Sequence, residues 1–69
     1  MKSFYNYVVN NFYGEDSIEG DLAFDMERDK ELTKEMKEND ELLFSYMNKR
    51  LFDNAEKTYK KLKKRYLGE

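Results

Sequence analysis

The fold class predicted by this 69-residue chain is all-α: a compact bundle of four to five short helices forming a single domain over residues 1–69. Three observations carry the prediction. Apolar residues recur at intervals of three and four, the spacing of one helical face, most clearly at Phe52, Ala55, Tyr59, Leu62 and Tyr66. Residues suited to capping helices stand ahead of these runs. Strand signals are missing, since the chain has no proline, no alternating β-branched run and no Asn-Gly or Asp-Gly pair to turn a hairpin.

Taken in order, Ser3 caps a first helix that carries Phe4, Tyr7, Val8 and Asn11 with Phe12 on one side and runs to about Phe12. Gly14 permits the positive backbone torsion that ends it. Asp16 and Glu19, three apart, form a capping box for a second helix over about Ser17 to Asp29, with Ile18, Leu22 and Met26 recurring every four residues and Ala23 beside them. Gly20 is expected to weaken that helix by about 1 kcal/mol relative to Ala. Phe24 falls off the stripe and is expected to pack against a second neighbour, the alternative being an exposed contact residue. Lys30 to Asn39, with only Leu32 and Met36 apolar, reads as a short solvated helix. Asn39 or Asp40 caps a heavily buried fourth helix in which Leu43, Tyr46, Met47 and Arg50 share a side, and which ends near Lys49. A turn through Arg50 to Asp53 then precedes the last helix, which Asp53 caps with Glu56 and Gly68 stops.

Composition narrows the function classes. A chain this short buries only about 60% of the surface its unfolded form exposes, and with no Cys it has no disulfide to supplement its core. A reducing, cytoplasmic setting fits, and neither a signal peptide nor a membrane span is expected. Charged residues make up 41% of the chain and aromatic residues 16%, and the aromatic share is what allows a folded core despite that charge. The net charge of −2 hides a separation: residues 15–41 hold 12 acidic and 4 basic side chains, residues 49–66 hold 8 basic and 2 acidic. That asymmetry either docks the basic helix on the acidic segment or presents two surfaces to partners.

Catalysis and cofactors find no support. The chain has no His or Cys, so the usual zinc sites are excluded and a catalytic base would have to be a carboxylate or lysine shifted by burial. Ser3, Ser17 and Ser45 read as caps or surface residues, and no Gly-rich phosphate loop occurs. The alternation Asp25, Glu27, Asp29, Glu31 resembles the start of an EF-hand loop, but the sixth position is Lys30 and the twelfth Met36, where Gly and Glu are required. It reads as a solvated acidic face, with no metal site.

The last helix is the more informative region. Lys57, Lys60, Lys61 and Lys64 fall on one side of it, flanked by Lys63 and Arg65, and could follow a phosphate backbone with help from exposed Tyr5 or Tyr13. The plainer reading is a solubilising helix end whose cations oppose the helix dipole. Five rings near the N-terminus, Phe4, Tyr5, Tyr7, Phe12 and Tyr13, are core and rim, and any left exposed would suit a protein partner or a second copy. The leading expectation is therefore a non-catalytic interaction module that binds a protein partner or itself. The alternative is binding of nucleic acid, or of an acidic protein partner, through Lys57, Lys60, Lys61, Lys63, Lys64 and Arg65; a further one is that the acidic surface of helices two and three mimics nucleic acid. No small-molecule substrate is expected.

The opening Lys2-Ser3-Phe4-Tyr5-x-Tyr7, with Asp16-Ser17-Ile18, Phe44-Ser45-Tyr46-Met47 and Phe52-x-x-Ala55-x-x-x-Tyr59, resembles the YozE-like family. Those are small proteins of Gram-positive bacteria and their mobile elements with a sterile-alpha-motif-like helical fold. The chain departs from the family pattern at Asp29-Lys30-Glu31-Leu32, in place of a Phe-Pro pair, and at Glu56, in place of a Trp. The resemblance implies a fold of this kind and a divergent member. The shared residues are core and caps, and folds of this kind serve protein association or nucleic-acid binding, so the resemblance implies no site.

Overall fold

The chain folds into five helices among the described residues, α1 (Phe4–Phe12), α2 (Ile18–Arg28), α3 (Lys34–Glu38), α4 (Asp40–Arg50) and α5 (Asp53–Gly68), with no strand. The computed structural model describes residues 3–51 and 53–68, and the globule measures 28 × 28 × 21 Å. α2 packs between α1 and α5, α3 pairs with α4, and α1 touches every other helix. Phe52 and the Asp53 side chain, to which the sequence assigns the opening of the last helical face and its cap, lie outside the described residues.

Local capping chemistry sets most boundaries. Ser3 accepts from the Asn6 N–H at 3.2 Å, and Asn39 accepts from the Leu42 N–H at 3.3 Å, as the sequence predicts for α1 and α4. Gly14 takes a φ of +90°, the torsion that releases the chain from α1. The start of α2 differs from expectation by one residue: the cap is Ser17, whose hydroxyl accepts from the Gly20 N–H at 3.0 Å, so Asp16 stays outside the helix. Glu19 does not close a capping box but reaches α5 instead. α3 is shorter than expected because Thr33 caps it, accepting from the Met36 N–H, which leaves Leu32 buried in the turn that precedes it. Leu51 is extended, so α4 and α5 are separated by a turn as predicted. Gly68 keeps helical geometry in the last position of α5.

The core is organised around Phe4, which is fully buried and meets four rings edge-on or stacked: Phe44 at 5.2 Å, Tyr66 at 5.4 Å, Tyr59 at 5.9 Å and Tyr7 at 6.3 Å between centroids. Tyr59 and Leu62 are buried from α5, Leu22, Ala23 and Met26 from α2, Leu43 and Met47 from α4. α5 thus packs on α1 and α2 and meets α4 through Phe44 and Tyr59, 6.3 Å apart. Asp40 closes this side. One carboxylate oxygen accepts from the Phe4 N–H at 2.9 Å and the other from the Tyr66 hydroxyl at 2.7 Å, so a residue of α4 caps α1 and ties down the end of α5. Burial and the adjacent Asp40 push the Tyr66 phenol up to about 12.

Two faces differ from their sequence reading. Ile18, the first residue of α2, is 49% exposed, while Leu22, Ala23 and Met26 further along the helix are buried. α4 is buried along Leu43 and Met47, with Phe44 and Tyr46 partly buried against the core, whereas Arg50 is exposed and bound to Glu31.

Candidate interaction surfaces

The lysine face forms as the spacing predicts. Tyr59 and Leu62 turn one side of α5 into the core, which leaves Lys57, Lys60, Lys61 and Lys64 exposed on the opposite side within an arc of about 100°. Three of the six predicted cations are engaged within the molecule. Lys61 binds Glu19 of α2 at 2.6 Å, Lys60 lies 3.8 Å from Glu56, and Lys63 folds back over the Phe44 ring at 4.3 Å. The Lys61 ammonium, foremost, holds the Glu19 carboxyl below its ordinary value. Lys57, Lys64 and Arg65 form no ion pair among the described residues. The basic helix is thus docked on the acidic segment through Glu19 and still keeps a free cationic side.

A second surface lies on the outer side of α2. Phe24 is 46% exposed and Tyr13 48% exposed, and the two rings stack with centroids 6.1 Å apart and planes 21° from parallel. The Arg28 guanidinium sits over the other partner, 5.2 Å from the Phe24 centroid. Phe24 thus takes the alternative to the expected packing: it lies exposed, and the ring stacked on it, Tyr13, is exposed as well. Tyr5, by contrast, is half-buried with the Lys37 ammonium 5.1 Å from its ring, so it offers no stacking platform. Four cations lie over rings among the described residues, where roughly one per 70–80 residues is usual. Tyr13 is the exposed ring without a cation above it among those residues.

Beside Phe24 runs a groove of about 410 Å³ between α2 and the end of α4, lined by Phe24, Asp25, Arg28, Asp29, Arg50 and Leu51. Its far wall is a satisfied polar cluster. The Tyr46 hydroxyl donates to Asp29, the Glu31 N–H donates to Asp29 at 2.9 Å, and Arg50 pairs with Glu31 while covering the Tyr46 ring. Partial burial opposes ionisation of Asp29, but the Tyr46 hydroxyl, the Glu31 N–H and the Arg50 charge together hold it below the usual carboxylate range. Burial and Asp29 push Tyr46 up to about 12, so its phenol stays protonated at neutral pH and serves as a donor. Asp29 and Glu31 thus have partners of their own, while Asp25 lines the same groove one helical turn before Asp29. No group of three or more metal-ligating side chains occurs among the described residues.

No helix among the described residues is long and apolar enough to cross a membrane. No family model matches the chain, and neither a curated protein nor a solved structure is significantly similar to it. Sequence reading passed over Arg28 as a surface residue of interest. The signal was present in the spacing: Phe24 and Arg28 are four apart, neighbours on one side of a helix.

Proposed function

We propose that the protein is a non-catalytic interaction module that binds a protein partner through Tyr13, Phe24 and Arg28 on the outer side of α2. The observation that carries this reading is the stack itself: two large rings and a guanidinium held together at the surface of an otherwise acidic helix, on the side away from the core. Tyr, Phe and Arg are the residues that protein interfaces concentrate at their centres, where truncating one costs about 2 kcal/mol or more. The adjoining groove gives such a partner a recess beside the anchor.

The test is affinity capture from the source organism's lysate with three baits in parallel: the wild-type protein, a Phe24→Ala, Arg28→Glu variant and a Lys57→Glu, Lys64→Glu variant. A protein retained by the first and third baits and lost from the second, then binding about 30-fold more weakly to the purified α2 variant, supports the reading. Retention unaffected by the α2 substitutions refutes it. Sedimentation equilibrium of the wild type alone distinguishes a second copy as the partner.

A further inference from the structure

We propose that the outer side of α5 is a separate binding surface that takes the phosphate backbone of a nucleic-acid duplex. Lys57 and Lys64 are two helical turns apart, about 10 Å along the axis, with Lys60 and Lys61 between them and Arg65 at the edge. Lys57, Lys64 and Arg65 hold no carboxylate among the described residues. The pairs made by Lys60 and Lys61 involve lysine side chains 68% and 56% exposed. An exposed pair such as Lys60–Glu56 is worth at most about 1 kcal/mol, so Lys60 can exchange its carboxylate for a phosphate at little cost, whereas Lys61 is held by Glu19, whose side chain is only 22% exposed.

The kind of partner follows from what this face lacks. Protein interfaces are depleted in Lys at their centres and depend on rings and Arg for anchorage. Among the described residues the lysine face carries no exposed ring, and the exposed large apolar side chain on α5 is Leu67 in the last turn, 62% exposed. A polyanion held by charge needs no such anchor. An unpaired strand would want a stacking platform in the same groove as the cations. Here the rings are elsewhere: Phe24 lies five residues beyond Glu19, which faces Lys61, and is therefore turned about 140° away round α2. Nor can α5 lie in a lipid interface, since its apolar side, with Tyr59 and Leu62, is spent in the core. The inferred mode is sequence-independent contact with three to five phosphates, on a different side of the molecule from the Tyr13 and Phe24 stack.

Fluorescence anisotropy with a labelled duplex of about 20 bp, at about 50 and about 200 mM salt, tests this. Contact with three to five phosphates gives a log–log salt slope of about −3 to −4.5, a loss of about 40- to 500-fold in affinity over that range. The wild type should show that slope. Lys57→Gln, Lys64→Gln should lower it by about 2 and weaken binding at low salt, and Lys57→Glu, Lys64→Glu should weaken it further, both with an unchanged melting temperature. Tyr13→Ala, Phe24→Ala should bind the duplex as the wild type does, which separates this surface from the protein-binding one. No binding at about 50 mM salt, binding that ignores salt, or binding equal in the lysine variants overturns the proposal. So does binding to phosphatidylserine vesicles without binding to the duplex.

Discussion

Phe4 and Phe24 are the same residue in the same small bundle, yet one is 0% and the other 46% exposed. Position on a helix separates them, not chemistry. Phe4 opens α1 where α4 and α5 converge, and four rings and the Asp40 cap enclose it. Phe24 stands about 160° round α2 from both Leu22 and Met26, the residues that carry that helix into the core, so no helix remains to cover it. Instead Tyr13 stacks on it and the Arg28 guanidinium lies 5.2 Å from its centroid. A bundle short of apolar residues has spent two large rings at its surface, and that expense is the reason to look for a partner there.

The strongest way to break the comparison is to truncate the buried ring. Phe4→Ala should destabilise the fold by about 3–5 kcal/mol, and Tyr59→Ala by about 3 kcal/mol, measured as the shift in the urea midpoint at unchanged slope. A loss under about 1 kcal/mol from Phe4→Ala would mean that the ring cluster around Phe4 is not the core. In a domain of this size the larger loss removes most of the stability available.

Next in size is the corner that holds Tyr13 over Phe24. A Cβ on Gly20 would lie 2.0 Å from the Glu15 carbonyl oxygen, a backbone clash that no rotamer relieves. Helix propensity alone says that Gly20→Ala should stabilise by about 1 kcal/mol; the close approach reverses the sign, and a loss of about 1–3 kcal/mol is expected. Thermal melts of this one variant decide between the two. A gain in melting temperature would show that the 15–20 corner is looser than the packing of Gly20 against Glu15 requires.

Gly20 also marks where sequence reasoning reached its limit. Caps at Ser3 and Asn39, the end of α1 near Gly14, the α4–α5 turn and the lysine face of α5 were all readable, because each depends on residues within about four positions of one another. Asp40 reads locally as a cap for α4, and what it does instead is receive the Phe4 N–H from 36 residues away. Glu19 reads as half of a capping box and is held by Lys61, 42 residues on. Gly20 reads as a defect and is a contact. The local signals in these residues were present and were outcompeted by tertiary partners that no spacing rule anticipates. The same reason explains the candidate sites: one face of one helix was visible in advance, whereas the Tyr13 and Phe24 stack needs two helices and the turn between them.

The Asp40 clasp offers a gentler perturbation of the Phe4 side. Tyr66 is held protonated, its folded value of about 12 standing above the ordinary 10.0, so its contribution is complete below pH 10 and is lost as pH rises from about 10 to about 12. Tyr66→Phe should cost about 1 kcal/mol at pH 7 and flatten the alkaline fall relative to the wild type across that window. Since lysine deprotonation acts on both proteins, the difference between the two curves is the readout. Parallel curves would mean that the Tyr66 hydroxyl does not depend on Asp40.

The smallest expected effect on stability is the most informative for function. Phe24→Ala removes a ring of nominally core character, and if Phe24 were packed as Phe4 is, the loss would be several kcal/mol. Because it lies exposed on the outer side of α2, stacked on an equally exposed Tyr13, the melting temperature should move by no more than about 0.5 kcal/mol allows, around 2–4 °C for a domain this small. Solubility and resistance to aggregation should improve as the exposed ring goes. A small stability change together with loss of a captured protein assigns Phe24 to binding. A large one returns it to the core and removes the ground for reading the α2 edge as an interface.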